Sequence, residues 1–146
     1  MKGEHMSTDR HADAIFYSQA LFADGYCCAE SVLLALARYI DRDPGMLSAL
    51  ANGFCGGIDG TQTCGAISGA IMGIGLVLGP IEPHADHSAI NVAAREFIRR
   101  FLDEFGSLAC HDLLNGHVAP EARQPHATCT QYVGEAVRLA LEVLEI

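Results

Sequence analysis

The chain has six cysteines in 146 residues but no Cys-x-x-Cys pair. That lack argues against a zinc ribbon and against a thioredoxin-type motif, both of which take closely spaced thiols from such pairs. Without Cys-x-x-Cys-His, no covalent haem is implied either. Positive charge is scarce: nine Lys plus Arg stand against 18 Asp plus Glu, for a formal net charge of -9. Nucleic acid and anionic membrane surfaces are recognised through clustered positive charge, so neither is an expected partner. The only long apolar run, Gly65 to Gly79, stops at Pro80. It falls short of the roughly 20 residues that cross a bilayer, so a buried helix is expected there and no membrane insertion. Met1 to Arg10 is polar and has no apolar stretch leading to a small-residue cleavage site, which makes a cytoplasmic location the expectation. No lysine follows Gly60, so nothing resembles a phosphate-binding glycine loop. Strand-type alternation, polar low-complexity runs and internal repeats are absent as well.

Half of the residues are hydrophobic and 18% are charged. A chain of this length can bury a core without disulfide staples, and one domain spanning 1–146 is expected. Six cysteines in such a chain do not look like a secreted disulfide framework, and their presence needs another explanation.

Apolar residues recur at helical spacing almost everywhere, which predicts an all-α bundle of about five to seven helices. Ser7 or Thr8 can cap a first helix carrying Ala12, Ile15, Phe16, Phe22 and Ala23, stopped by Asp24-Gly25. A second runs from near Cys27 to about Ile40. Its Val32, Leu33, Leu34, Leu36 and Ile40 surround most of the cylinder, which predicts a central position. Asp43-Pro44 reads as the cap and first turn of a short third helix through Met46, Leu47, Leu50 and Ala51. A glycine-rich loop, Phe54 to Gly60, then leads into the apolar helix Gly65 to Leu78. Beyond Pro80 and Pro83, a long amphipathic helix is marked by Ile90, Ala93, Ala94, Phe97, Ile98, Phe101, Leu102 and Phe105. Its other face carries Glu96 with Arg100 and Arg99 with Asp103, a solvated ladder. Gly106 ends this helix and Ser107 can cap a short one from Leu108 to Leu114. Asn115 to Ala127, with Pro120 and Pro125, reads as a loop, and a last helix turns Val133, Ala136, Val137, Ala140, Leu141 and Leu144 inward.

Cys28, Cys64, Cys110 and Cys129 all fall in the first turn or cap region of a predicted helix. Unpaired N–H groups and the positive dipole end gather there, which favours thiolates or an anionic metal cluster if the helix starts converge. Cys64 is the strongest single candidate. It lies where the glycine loop meets a helix start, with Thr61 and Thr63 as hydroxyl partners, and an anionic thiol is expected. Cys55, in the loop, reads as a resolving thiol, an extra ligand or a thiol without a role. Cys27 points about 100° around the helix from Cys28 and reads as a packing residue. Gly65, Gly69 and Gly73 repeat every four residues. This ridge permits close approach of a cofactor near Cys64, or tight helix packing inside the core or across a dimer interface, and a homodimer is expected from it. His111 beside Cys110, with His117 and His126, can supply nitrogen ligands, although solvated histidines are the commoner outcome. His84 and His87 flank Asp86 in a connector and carry less weight.

The chain resembles the redox-active C_GCAxxG_C_C proteins of bacteria and archaea over nearly its whole length. The resemblance rests on Gly25-Tyr26-Cys27-Cys28-Ala29-Glu30-Ser31-Val32, on Gly56-Gly57 leading to Thr63-Cys64-Gly65-Ala66-Ile67-Ser68-Gly69, and on Phe105-Gly106-Ser107 ahead of Cys110. Cys129 opens the final helix as the last cysteine of the family does. The resemblance implies that the four family cysteines are Cys28, Cys64, Cys110 and Cys129. Thr63 precedes Cys64 where the family label has glycine, and Cys27 and Cys55 are additional. Family members are similar to part of the split-Soret cytochromes, which carry an iron-sulfur centre beside their haems.

Three functions follow as expectations. The first is an iron-sulfur or related thiolate-metal centre on Cys28, Cys64, Cys110 and Cys129, with Gly65 close to the cofactor, for electron transfer or redox sensing with a redox partner protein. The second is a metal-free thiol-disulfide oxidoreductase in which Cys64 attacks and Cys55 or another family cysteine resolves. The third is a structural zinc protein, atypical because its ligands spread over roughly a hundred residues.

Overall fold

The computed structural model describes residues 2–114 and 127–146, the side chains of 2–7 and 127 excepted, and these residues are helical wherever the apolar spacing predicts it. The expected loop from Asn115, with Pro120, Pro125, His117 and His126, lies outside the described residues, as does the Ser7 side chain. Eight segments follow in order: α1 (Lys2–Ala23), α2 (Cys28–Tyr39), α3 (Leu47–Asn52), α4 (Gly57–Gly60), α5 (Gly65–Leu78), α6 (Ser88–Phe105), α7 (Cys110–Leu113) and α8 (Ala127–Leu144). Six are longer helices, and α4 and α7 are four-residue turns, so the protein is an all-α bundle. Among the described residues the one isolated extended pairing is an antiparallel bridge between Thr63 and Ala109.

Helix α2 is the hub. Ala29, Val32, Leu33, Leu36 and Ala37 are all buried, and α2 packs against α1, α3, α5 and α8. Burial on every side follows from its near-continuous apolar sequence, since a helix apolar all round is stable only when surrounded. The glycine ridge of α5 faces α2. A Cβ at Gly69 would overlap the carbonyl oxygen of Ala29, and one at Gly73 would overlap the Leu36 side chain. The ridge is thus consumed within the chain and offers no dimer surface, so the homodimer expectation loses its basis. On the far side, Phe97 and Phe101 of α6 meet Val133, Val137 and Leu141 of α8 in one core with Ile67 and Ile74. The Glu96, Arg99, Arg100 and Asp103 ladder forms as expected on the exposed face of α6.

Three local expectations fail for identifiable reasons. Helix α1 begins at Lys2, before the expected cap at Ser7 or Thr8. Its Phe16 is 72% exposed while Ser18 is buried, the Ser18 hydroxyl donating back to the Ile15 carbonyl at 2.6 Å. Helix α3 starts at Leu47 because Asp43 closes a turn instead, accepting from the Gly45 N–H at 3.0 Å. Within α3, Ala51 is buried and Leu50 exposed, as is Met46 just before it.

Candidate functional site

Breaks in the chain put the cysteines at helix starts. Gly25 turns the backbone with φ 111, Cys27 enters α2 in extended conformation, and Cys28 becomes the first helical residue. Cys64 is the last extended residue before α5, Cys110 opens α7, and Cys129 lies in the first turn of α8.

Backbone bonds then draw two of these starts together. Cys64 N–H donates to the Leu108 carbonyl and Cys110 N–H to the Gln62 carbonyl, both at 2.8 Å. Two glycines make room. A Cβ at Gly65 would overlap Cys28 Sγ and stand 2.9 Å from the Phe54 carbonyl oxygen. At Gly57, whose φ is 64, a Cβ would overlap that of Cys110. Gly65 therefore serves the site by admitting the Cys28 sulfur beside the start of α5.

The proximity shapes the electrostatics. Burial pushes the Cys28 thiol up, against N–H groups of Gly56, Ala29 and Gly65 aimed at its sulfur. Cys64 is pushed up to about 12 by burial and by the neighbouring Cys28 charge, with Cys110 adding to it, while the N–H groups of Ala66 and Ile67 oppose the rise. Cys110 is raised by burial and again by Cys28. Cys129, half-buried, joins through Tyr132 one turn further along. Burial raises the Tyr132 phenol, and the charges of Cys64 and then Cys129 raise it further. The Tyr132 hydroxyl donates to the Leu113 carbonyl at 3.0 Å, tying α8 to α7.

This environment corrects the expectation of an anionic, accessible Cys64. At 7% exposure, desolvation outweighs the helix-start N–H groups, because a buried thiolate loses its hydration. The Thr61 hydroxyl is turned to Asp59, to which it donates at 2.6 Å, and Thr63 is exposed. His111 is exposed beside Asp112, and His84 and His87 are exposed in the connector.

A second sulfur group lies one residue away. Cys27, expected as packing, is bonded to Cys55 across a Cα separation of 5.6 Å. Cys55 is thereby engaged with Cys27, so it is not a free resolving partner for Cys64. The buried carboxylate of Glu30 stands beside the pair. Its Oε1 is 3.9 Å from Cys55 Sγ and accepts from Asn52 Nδ2 at 3.1 Å and from the Cys27 N–H at 3.5 Å. Its Oε2 accepts from the Ser48 hydroxyl. Ligand atoms of Cys27, Glu30 and Cys55 lie within 4.8 Å of one another, a group that could hold a metal ion only with the bond between the two sulfurs reduced. Sequence reasoning missed Glu30. The signal was its position three residues after Cys27, which is capping-box spacing with cysteine in place of serine.

No curated protein and no solved structure matches the chain. One family model does, described as putative redox-active protein (C_GCAxxG_C_C), over residues 26–143, a span that includes all six cysteines. With that match covering most of the sequence, the chain belongs to the redox-active C_GCAxxG_C_C family.

Proposed function

We propose that Cys28, Cys64, Cys110 and Cys129 together hold a thiolate-metal centre, foremost an iron-sulfur cluster, for electron transfer or redox sensing. The carrying observation is three buried, mutually interacting thiols with backbone N–H groups of Gly56, Gly65, Ala66 and Ile67 directed at sulfur. Thiolates in such a place are disfavoured until a cation neutralises them, and metal binding requires the thiolate form. The donor set fits: four thiols are the usual ligands of two-iron and four-iron clusters.

When bound, such a cluster supplies one-electron redox chemistry. The chain's own residues do the rest. N–H groups at the starts of α2 and α5 stabilise negative charge on sulfur. The packed core beneath Cys28 and Cys64 excludes water. Phe54 and Ile58, exposed on the glycine loop, offer apolar contact to a redox partner protein. This reading takes residues 1–146 as one domain at work in the cytoplasm.

Anaerobic purification followed by visible absorption and metal and sulfide analysis tests it. Iron with labile sulfide in the same preparation is the expected result. Zinc alone would establish the structural alternative, and a protein that takes up neither metal after anaerobic reconstitution overturns the metal reading.

A further inference from the structure

We infer that Cys27 and Cys55 form a second redox centre, a dithiol/disulfide couple that exchanges electrons with thiols from outside the protein. The couple needs no metal and stands apart from the four-thiol reading, so either can fail without the other.

The two residues come from different elements, the end of the turn before α2 and the glycine loop, and their separation of 28 residues means that only the fold joins them. A Cα distance of 5.6 Å lies within the ordinary range for a disulfide. The two sulfurs are unequal. Cys27 is half-buried, whereas Cys55 is 5% exposed, so an external thiolate reaches Cys27 first.

The inequality sets the direction of exchange. An external thiolate attacks Cys27 Sγ, the bond between Cys27 and Cys55 breaks, and its electron pair leaves on Cys55 Sγ. A thiolate created there lies in an apolar setting and is costly unless protonated. It takes up a proton that the external thiol released to the solvent. A second external thiol then attacks the mixed disulfide on the outer sulfur and releases Cys27. In sum, two external thiols become one external disulfide, and Cys27 and Cys55 gain two electrons and two protons. Oxidation is the reverse, with both protons returned to the solvent.

The test equilibrates the full-length protein with glutathione mixtures of graded reduced-to-oxidised ratio, quenches with acid and N-ethylmaleimide, and locates linked peptides by tandem mass spectrometry. The Cys27–Cys55 link should pass from fully present to absent within the series, with both thiols appearing together. A link that never forms, one that never breaks, or pairing of either residue with Cys28 or Cys64 overturns the couple. Retention of a divalent ion by Cys27 and Cys55 would do the same.

Discussion

Cys27 and Cys28 are neighbours in the chain, yet Cys27 is bonded to Cys55 beside a carboxylate while Cys28 lies among thiols and backbone N–H groups. The helix explains how adjacent residues reach different surroundings. Consecutive side chains diverge by about 100°, so the start of α2 presents Cys28 to α5 and Cys27 to α3 and the glycine loop. The contrast is chemical as well as geometric. A carboxylate, Glu30, stands beside the pair, whereas none is among the groups that shift Cys28, Cys64 and Cys110. One helix terminus can therefore serve a disulfide couple on one side and a metal-type site on the other.

If that separation holds, substitutions should respect it. Cys28→Ser or Cys110→Ser should lower bound iron about tenfold or more, because removing a ligand leaves the remaining thiols unable to hold the centre. Cys27→Ser should leave iron near the wild-type level, measured per mole of protein after anaerobic purification. Equal loss in all three variants would merge the two groups into one. A smaller effect comes from the glycines. Gly65→Ala drives a methyl into Cys28 Sγ and the Phe54 carbonyl and should cost about 1–3 kcal/mol in urea unfolding. Gly53→Ala, where the added methyl meets open space and φ is -67, should be neutral or stabilising by up to about 1 kcal/mol.

The parts of this arrangement legible in the sequence are those that depend on local pattern. Near-continuous apolar residues placed α2 at the centre, and Gly106, with φ 81, ended α6 where its glycine predicts. The positions of Cys28, Cys64, Cys110 and Cys129 at helix starts could be read from caps and breaks. What failed depends on tertiary context. The sign of the shift at Cys64 could not be read from the helix start, because burial by other elements outweighs the local N–H groups. Phe16 faces solvent although its spacing fits the stripe. The Cys27–Cys55 bond joins residues whose local sequence shows no relation, and Glu30 gains meaning only once Ser48, Asn52 and Cys55 are folded against it.

The sharpest probe of the comparison is alkaline stability. Cys64 ionises near pH 9 in the unfolded chain but is pushed up to about 12 when folded, by burial first and the Cys28 charge second. Above pH 9 the unfolded state therefore loses a proton that the folded state keeps. The stability contributed by the buried neutral thiol is complete below pH 9 and is lost as pH rises toward about 12. Each pH unit in that window removes about 1.4 kcal/mol at most from this one group. Urea midpoints of metal-free protein at pH 9.5 and 10.5 should thus fall more steeply in wild type than in Cys64→Ala. Bonded cysteines do not titrate, so Cys55→Ala studied beside oxidised wild type should not flatten the slope. A flattened slope in Cys55→Ala with no change in Cys64→Ala would show that the titrating sulfur belongs to the pair, and would reverse the assignment of proton chemistry between the two sides of α2.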